Sequence, residues 1–191
     1  LAAAVLTSIL GAVAGGLEAI HRAGIVHRDV KPANLMLPNG GTPAAVILDF
    51  GHSLVLGDTR LTERGVVLGS AAYMAPEQAA GSTLDGRADL YSLGVVLYRA
   101  LTGVLPFEDR SPAELMRRHQ HEPLIPPRRR APSRLIPLGL EDLCLWLLAK
   151  DPEARLPSAR VLLATLAALE SSVDSSPRGV MDVHDSRPAA S

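Results

Sequence analysis

The chain opens on seventeen residues, Leu1 to Leu17, in which apolar and small side chains run without a single charge. The apolar character continues as Ile20 and Ala23 around Glu18 and Arg22. This pattern predicts a buried helix leading toward His27. The uncharged run is short for a membrane span, and no basic stretch precedes it. Gly24 predicts the helix stop. Two short apolar runs follow, Leu35 to Leu37 and Ala45 to Leu48, separated by the turn formers Pro38 to Pro43. They predict a β-hairpin. The stretch from His52 to Met74 is polar, glycine-studded and aperiodic, and reads as a long surface loop of the kind that usually carries function.

From Arg87 to Leu101 apolar residues recur on every side of a helical projection, which places this helix in the middle of a core. Thr102-Gly103 and Pro106 end it. Ser111, with Glu114 three residues on, predicts a capping box for a helix to about His121. Residues Glu122 to Pro137, rich in Pro and Arg, read as an irregular connection. Glu141 to Ala149 and Ser158 to Leu169 read as two further amphipathic helices. The tail from Ser171 to Ser191 has little to bury and reads as disordered or as a linker.

Composition narrows the classes. The 191 residues are 47% hydrophobic and 20% charged, which suits one globular domain with a real core. A net charge of −1 gives no general attraction to nucleic acid or anionic membrane. Arg128-Arg129-Arg130 has no interleaved aromatics and reads as a solvated basic loop, so no nucleic-acid partner is expected. The one cysteine, Cys144, cannot form an internal disulfide and reads as a buried, inert thiol of a reducing compartment.

The chemistry is concentrated in a few spaced segments. His27 to Asn34 reads His-Arg-Asp-Val-Lys-Pro-Ala-Asn, Asp49-Phe50-Gly51 follows fifteen residues after Asn34, and Ala75-Pro76-Glu77 comes later. Any one of these recurs by chance, whereas the ordered set does not. Together they resemble the signature of the protein kinase family. The resemblance runs from about Leu1 to Glu170. It implies the larger, C-terminal lobe of a kinase-like fold, mainly α-helical with a short β-hairpin beside the catalytic loop 27–34, and an activation segment at 49–77. The implied division is a lobe over 1–170 and a tail over 171–191.

The resemblance also implies roles. Asp29 would orient the acceptor hydroxyl and take its proton, and Lys31 would face the γ-phosphate of ATP. Asn34 and Asp49 supply hard oxygen ligands of the kind Mg²⁺ prefers. Met36 and Leu48 would floor the adenine pocket. His27 and Phe50 would pack together as scaffold, and Ser70 stands where the family usually has a threonine bonded to the catalytic Asp and Lys. Glu77 is expected to pair with Arg155, and Asp89 to anchor the catalytic loop backbone from the central helix. Arg28 would receive a phosphate carried by the activation segment, with Thr62 the first choice of site and Thr59 the second. Lys31-Pro32-Ala33-Asn34 is the Ser/Thr-type sequence, so the expected partners are protein substrates with Ser or Thr acceptors, in the cytoplasm.

No Gly-x-Gly-x-x-Gly loop and no strand of the Val-Ala-Ile-Lys type occur in the chain. The resemblance therefore implies that the N-terminal lobe of the parent chain is missing here. The opening on Leu in place of Met fits a lost beginning. The 191 residues alone are then expected to be inactive. The alternative is a non-catalytic kinase-like lobe that binds proteins, and the intact Asp29 and Asp49 weigh against it.

Overall fold

The computed structural model describes residues 2–37, 45–49, 54–55 and 68–174. Helix α1 (Ala3–Arg22) is followed by strand β1 (Ile25–Val26), a 3-10 turn at Pro32–Asn34, and strands β2 (Leu35–Met36), β3 (Val46–Ile47) and β4 (Leu54–Val55). Then come α2 (Leu68–Ala71), α3 (Pro76–Ala79), α4 (Gly86–Thr102), α5 (Pro112–His121), α6 (Pro127–Arg130), α7 (Leu138–Leu147), a 3-10 turn at Pro152–Ala154, and α8 (Ala159–Asp174). The described residues are thus mainly helical with two minimal antiparallel ladders. β1 pairs with β4 through Ile25 to Val55 and Val26 to Leu54. β2 pairs with β3 through Leu35 to Ile47 and Met36 to Val46, the hairpin that the two apolar runs predict.

Helix α4 is the axis of the core. Leu90, Tyr91, Leu93, Leu97 and Tyr98 on it are fully buried. It packs against α7, α1, α8, α6 and β1. The Asp85 side chain caps its start by accepting from Arg87 N at 2.8 Å. Gly103 ends it at φ 85°, a left-handed conformation that side chains resist.

Helix α1 is, among the described residues, the one helix long and apolar enough to cross a membrane, with 20 residues and a mean hydropathy of 1.8. Its Leu10, Val13, Ala14 and Leu17 are buried in the core cluster, and it lies along α8. An apolar core helix passes the same length and composition test as a span, and the face of α1 that carries these four residues packs in the core.

Several segments differ from the sequence reading, each for a local reason. The stretch His52–Met74 is not loop throughout, because Leu54–Val55 is a strand and Leu68–Ala71 a helical turn, with Ala71 to Ala75 buried. Helix α7 starts at Leu138, three residues before Glu141, and α6 puts one helical turn into the Glu122–Pro137 connection. The capping box is half formed. Ser111 Oγ accepts from Glu114 N at 3.4 Å, but the Glu114 carboxylate turns to Arg117, and Ser111 N donates to Asp109 Oδ1 instead. Helix α8 runs through Ser171 to Asp174, so a boundary at 170/171 falls inside a helix. Residues 175–191 lie outside the described residues.

Candidate active site

The segment His27–Asn34 leaves β1 and is held from below by α4. Asp89, fully buried on α4, accepts hydrogen bonds from His27 N at 2.9 Å and Arg28 N at 2.7 Å. A third donor, His21 Nε2 on the last turn of α1, reaches Asp89 Oδ2 at 2.8 Å. Burying a carboxylate is costly unless donors replace its water, and three converge here. His21 fits because α4 begins with Gly86, where a Cβ would lie 2.5 Å from the imidazole. Nothing in the sequence marks His21, since a histidine four residues after Leu17 on a helix carries no motif.

Arg28 has φ 70° and Asp49 φ 60°. They are the non-glycine residues in the left-handed region among those described, and both sit at this site. Such strain costs on the order of 1–3 kcal/mol per residue and persists only where surroundings impose it. The bond from Asp89 to the Arg28 amide is one such constraint.

Asp29, Lys31, Asn34 and Ser70 form one cluster. Lys31 Nζ donates to Asp29 Oδ2 at 2.7 Å and to Ser70 Oγ at 3.0 Å. Asn34 Nδ2 donates to the Asp29 carbonyl at 2.8 Å and to Asp29 Oδ2 at 2.9 Å. Both side-chain bonds from Lys31 and Asn34 fall on Oδ2 of Asp29 and neither on its Oδ1. Asn34 spends its amide N–H groups on Asp29, so its Oδ1 remains as an acceptor. Asp29 and Asn34 are 8% and 6% exposed, low enough that their bonds fix them.

The hairpin brings Asp49 alongside. Leu48 N donates to Asn34 O at 2.8 Å, so Asp49 follows a residue bonded to Asn34's own backbone. His27 Nε2 donates to the Leu48 carbonyl at 3.1 Å while its Nδ1 accepts from Asp29 N at 3.3 Å. One imidazole thereby links the Asp49 strand to Asp29. Among the described residues no three His, Cys, Asp or Glu side chains gather as a metal cage. An amide oxygen beside one carboxylate does fit Mg²⁺, which keeps waters and phosphate oxygens and needs few protein ligands. Met36 and Leu48 are exposed, with Leu37 and Val46 on the same hairpin, an apolar surface beside the polar cluster.

A second layer ties the site to the rest of the lobe. Arg155 Nη1 and Nη2 donate to Glu77 Oε1 and Oε2 at 2.6 and 2.7 Å. Its remaining donors reach the carbonyls of Ala149, Arg87 and Lys150 at 2.8, 3.0 and 3.0 Å. All five guanidinium N–H groups are used, the arrangement a buried arginine requires. The guanidinium also lies over the Tyr91 ring at 4.9 Å. His119 Nε2 donates to Ala72 O at 3.2 Å and its Nδ1 accepts from Tyr91 OH at 2.9 Å, which joins α5 to the segment after Ser70. Burial, helped by the Lys150 charge, holds the His119 pKa down at about 4. Burial also raises the Cys144 thiol well above its usual range. Phe50, Thr59 and Thr62 lie outside the described residues.

A mainly helical lobe that presents an Asp–Lys–Asn cluster beside a hairpin and an acidic residue has the parts of a phosphoryl-transfer site. The chain belongs to the protein kinase domain family, which residues 1–165 match. It is 42% identical over 179 residues to the serine/threonine-protein kinase pkn3 of Myxococcus xanthus, covering 89% of this chain and 33% of that protein. It is 45% identical over 162 residues to Pkn1 of the same organism, covering 83% and 23%. To the serine/threonine-protein kinase PknB of Mycobacterium leprae it is 43% identical over 152 residues, covering 79% and 24%. The chain thus spans a third or less of the length of these relatives.

Proposed function

We propose that this chain is the C-terminal lobe, within residues 1–170, of a serine/threonine protein kinase that transfers the γ-phosphoryl group of ATP to protein hydroxyls. The observation that carries the reading is the hydrogen-bonded cluster of Asp29, Lys31, Asn34 and Ser70. Phosphoryl transfer asks the protein for positioning and charge neutralisation more than for covalent chemistry. Asp29 presents Oδ1 to the acceptor hydroxyl and takes its proton. Lys31 stands between Asp29 and Ser70, where its charge faces the phosphate as it moves. Asn34 Oδ1 and the Asp49 carboxylate would hold Mg²⁺, which when bound neutralises charge on the phosphates. Met36 and Leu48, exposed in this lobe, offer the apolar floor on which an adenine would lie. Arg28 is read as the receptor for a phosphate on the 49–77 segment, with Thr62 its first-choice donor.

The reading is tested with the full-length gene product that contains this sequence, given Mg-ATP and a general protein acceptor. Phosphoserine and phosphothreonine are the expected products. Asp29→Asn keeps the shape and removes the base, so the rate should fall roughly 10²- to 10⁴-fold. Phosphotyrosine as the main product, or an undiminished rate in that variant, would sink the assignment.

A further inference from the structure

Arg28 is the strained residue immediately before Asp29, and the peptide groups on both sides of it are held by side chains from other elements. On one side Asp89 of α4 takes the Arg28 N–H at 2.7 Å. On the other, Gln78 of α3 donates from Nε2 to the Arg28 carbonyl at 3.0 Å, across 50 residues of sequence. We propose that Gln78 is a positioning residue for the reaction at Asp29. It keeps the Arg28–Asp29 peptide from flipping out of its strained orientation. The proposal rests on the kinase reading above.

That peptide carries the Arg28 carbonyl on one face and the Asp29 N–H on the other. Among the described residues the Asp29 N–H meets only His27 Nδ1, at 3.3 Å, which is the long end for a hydrogen bond. The Gln78 bond is the better of the two. A flip of the Arg28–Asp29 peptide is a change in ψ of Arg28 and φ of Asp29, and the Gln78 bond to the Arg28 carbonyl opposes it at a residue already held at φ 70°. Such a flip would break the Gln78 and His27 contacts and turn the Asp29 backbone from which the carboxylate reaches Lys31 and Asn34.

The state of the Gln78 side chain points the same way. Its Oε1 is buried and takes no hydrogen bond from the described residues. A buried acceptor without a donor is a penalty that an apolar side chain of the same length would avoid. What the amide contributes here is therefore its N–H. Gln78 is itself well placed to act as a clamp, because its neighbour Glu77 is fixed by both Arg155 bonds. The pair couples the seating of Ala75–Ala79 to the geometry of Asp29.

Gln78→Met keeps the length and removes the donor. In the full-length gene product kcat should fall roughly 10- to 100-fold, the range expected of a displaced reacting group. KM for Mg-ATP should stay within about twofold, because the nucleotide contacts are untouched. Unchanged kcat would overturn the proposal. Amide hydrogen exchange in the 191-residue chain gives an independent reading. Faster exchange confined to Arg28 and Asp29 in the variant supports the clamp. Unchanged exchange there, or acceleration spread through α4, overturns it. If the wild-type gene product transfers no phosphate, the kinase reading fails on its own account, and the exchange result still decides what Gln78 does.

Discussion

His119 shows how one buried side chain ties elements together in a way that depends on its protonation. Its ring accepts from Tyr91 OH and donates to Ala72 O, which is the pattern of the neutral imidazole. Protonation would turn the Nδ1 acceptor into a donor facing a hydroxyl, in a buried site with Lys150 nearby. The folded-state pKa is depressed from 6.5 to about 4, first by burial and then by Lys150. Below pH 6.5 the unfolded chain takes up a proton that the folded chain refuses, so stability is lost as pH falls from about 6.5 to about 4. The full loss is about 3 kcal/mol. Urea unfolding of the 191-residue chain at pH 7 and pH 4.5 measures it. His119→Gln can still donate to Ala72 O but cannot titrate, so its midpoint should fall less between the two pH values. Parallel falls in the two proteins would show that His119 does not carry the effect.

At the scale of elements, α3 is only four residues long and depends on its neighbours. The Glu77–Arg155 pair connects it to the turn after α7, and the Arg155 bond to Arg87 O reaches the first turn of α4. The Arg155 side chain is wholly buried and Glu77 nearly so, so removal of one partner strands a charge out of water. Glu77→Ala should cost about 3–5 kcal/mol in urea unfolding, the range for breaking a buried pair. A cost below about 1 kcal/mol would mean that water reaches the guanidinium.

The same elements show what the chain made legible and what it hid. Helices α1, α4, α7 and α8 are long enough for apolar spacing to register, and the hairpin is framed by turn formers. Helices α2, α3 and α6 are four residues each, about one turn, and one turn has no periodicity to read. Helix α8 outruns its apolar stripe, and Ser171 in that last stretch satisfies its hydroxyl on Ala167 O within the helix. At the site, Asp29, Lys31, Asn34 and Asp49 were visible because they stand in a spaced motif. His21, Gln78 and His119 were not, because each acts through a partner 50 or more residues away or, for His119 and Tyr91, on another helix. A lone His or Gln carries no sign of such a partner.

For the molecule as a whole, folding and catalysis separate. The core cluster draws on α1, α4, α5, α7 and α8, all present in this chain, with Leu10, Leu17, Leu93, Leu147, Leu162 and Leu166 at most 3% exposed. A core shared among helices at both ends of the sequence should melt as one unit. The 191-residue chain is therefore expected to unfold in a single cooperative step, with circular dichroism and Trp146 fluorescence giving the same midpoint. Catalysis asks for more than a fold. In the proposed reaction the Asp29 cluster would position the acceptor side, but the chain holds no glycine-rich loop to close over the phosphates from above. Positioning supplies most of the rate in this chemistry, and an uncovered nucleotide forfeits much of it. Purified at micromolar concentration, the chain should show no ATP turnover above an Asp29→Asn control, while the full-length gene product does. Turnover by the 191 residues alone that disappears in Asp29→Asn would show that this lobe holds the phosphates without a cover, and folding and catalysis would not separate in this way.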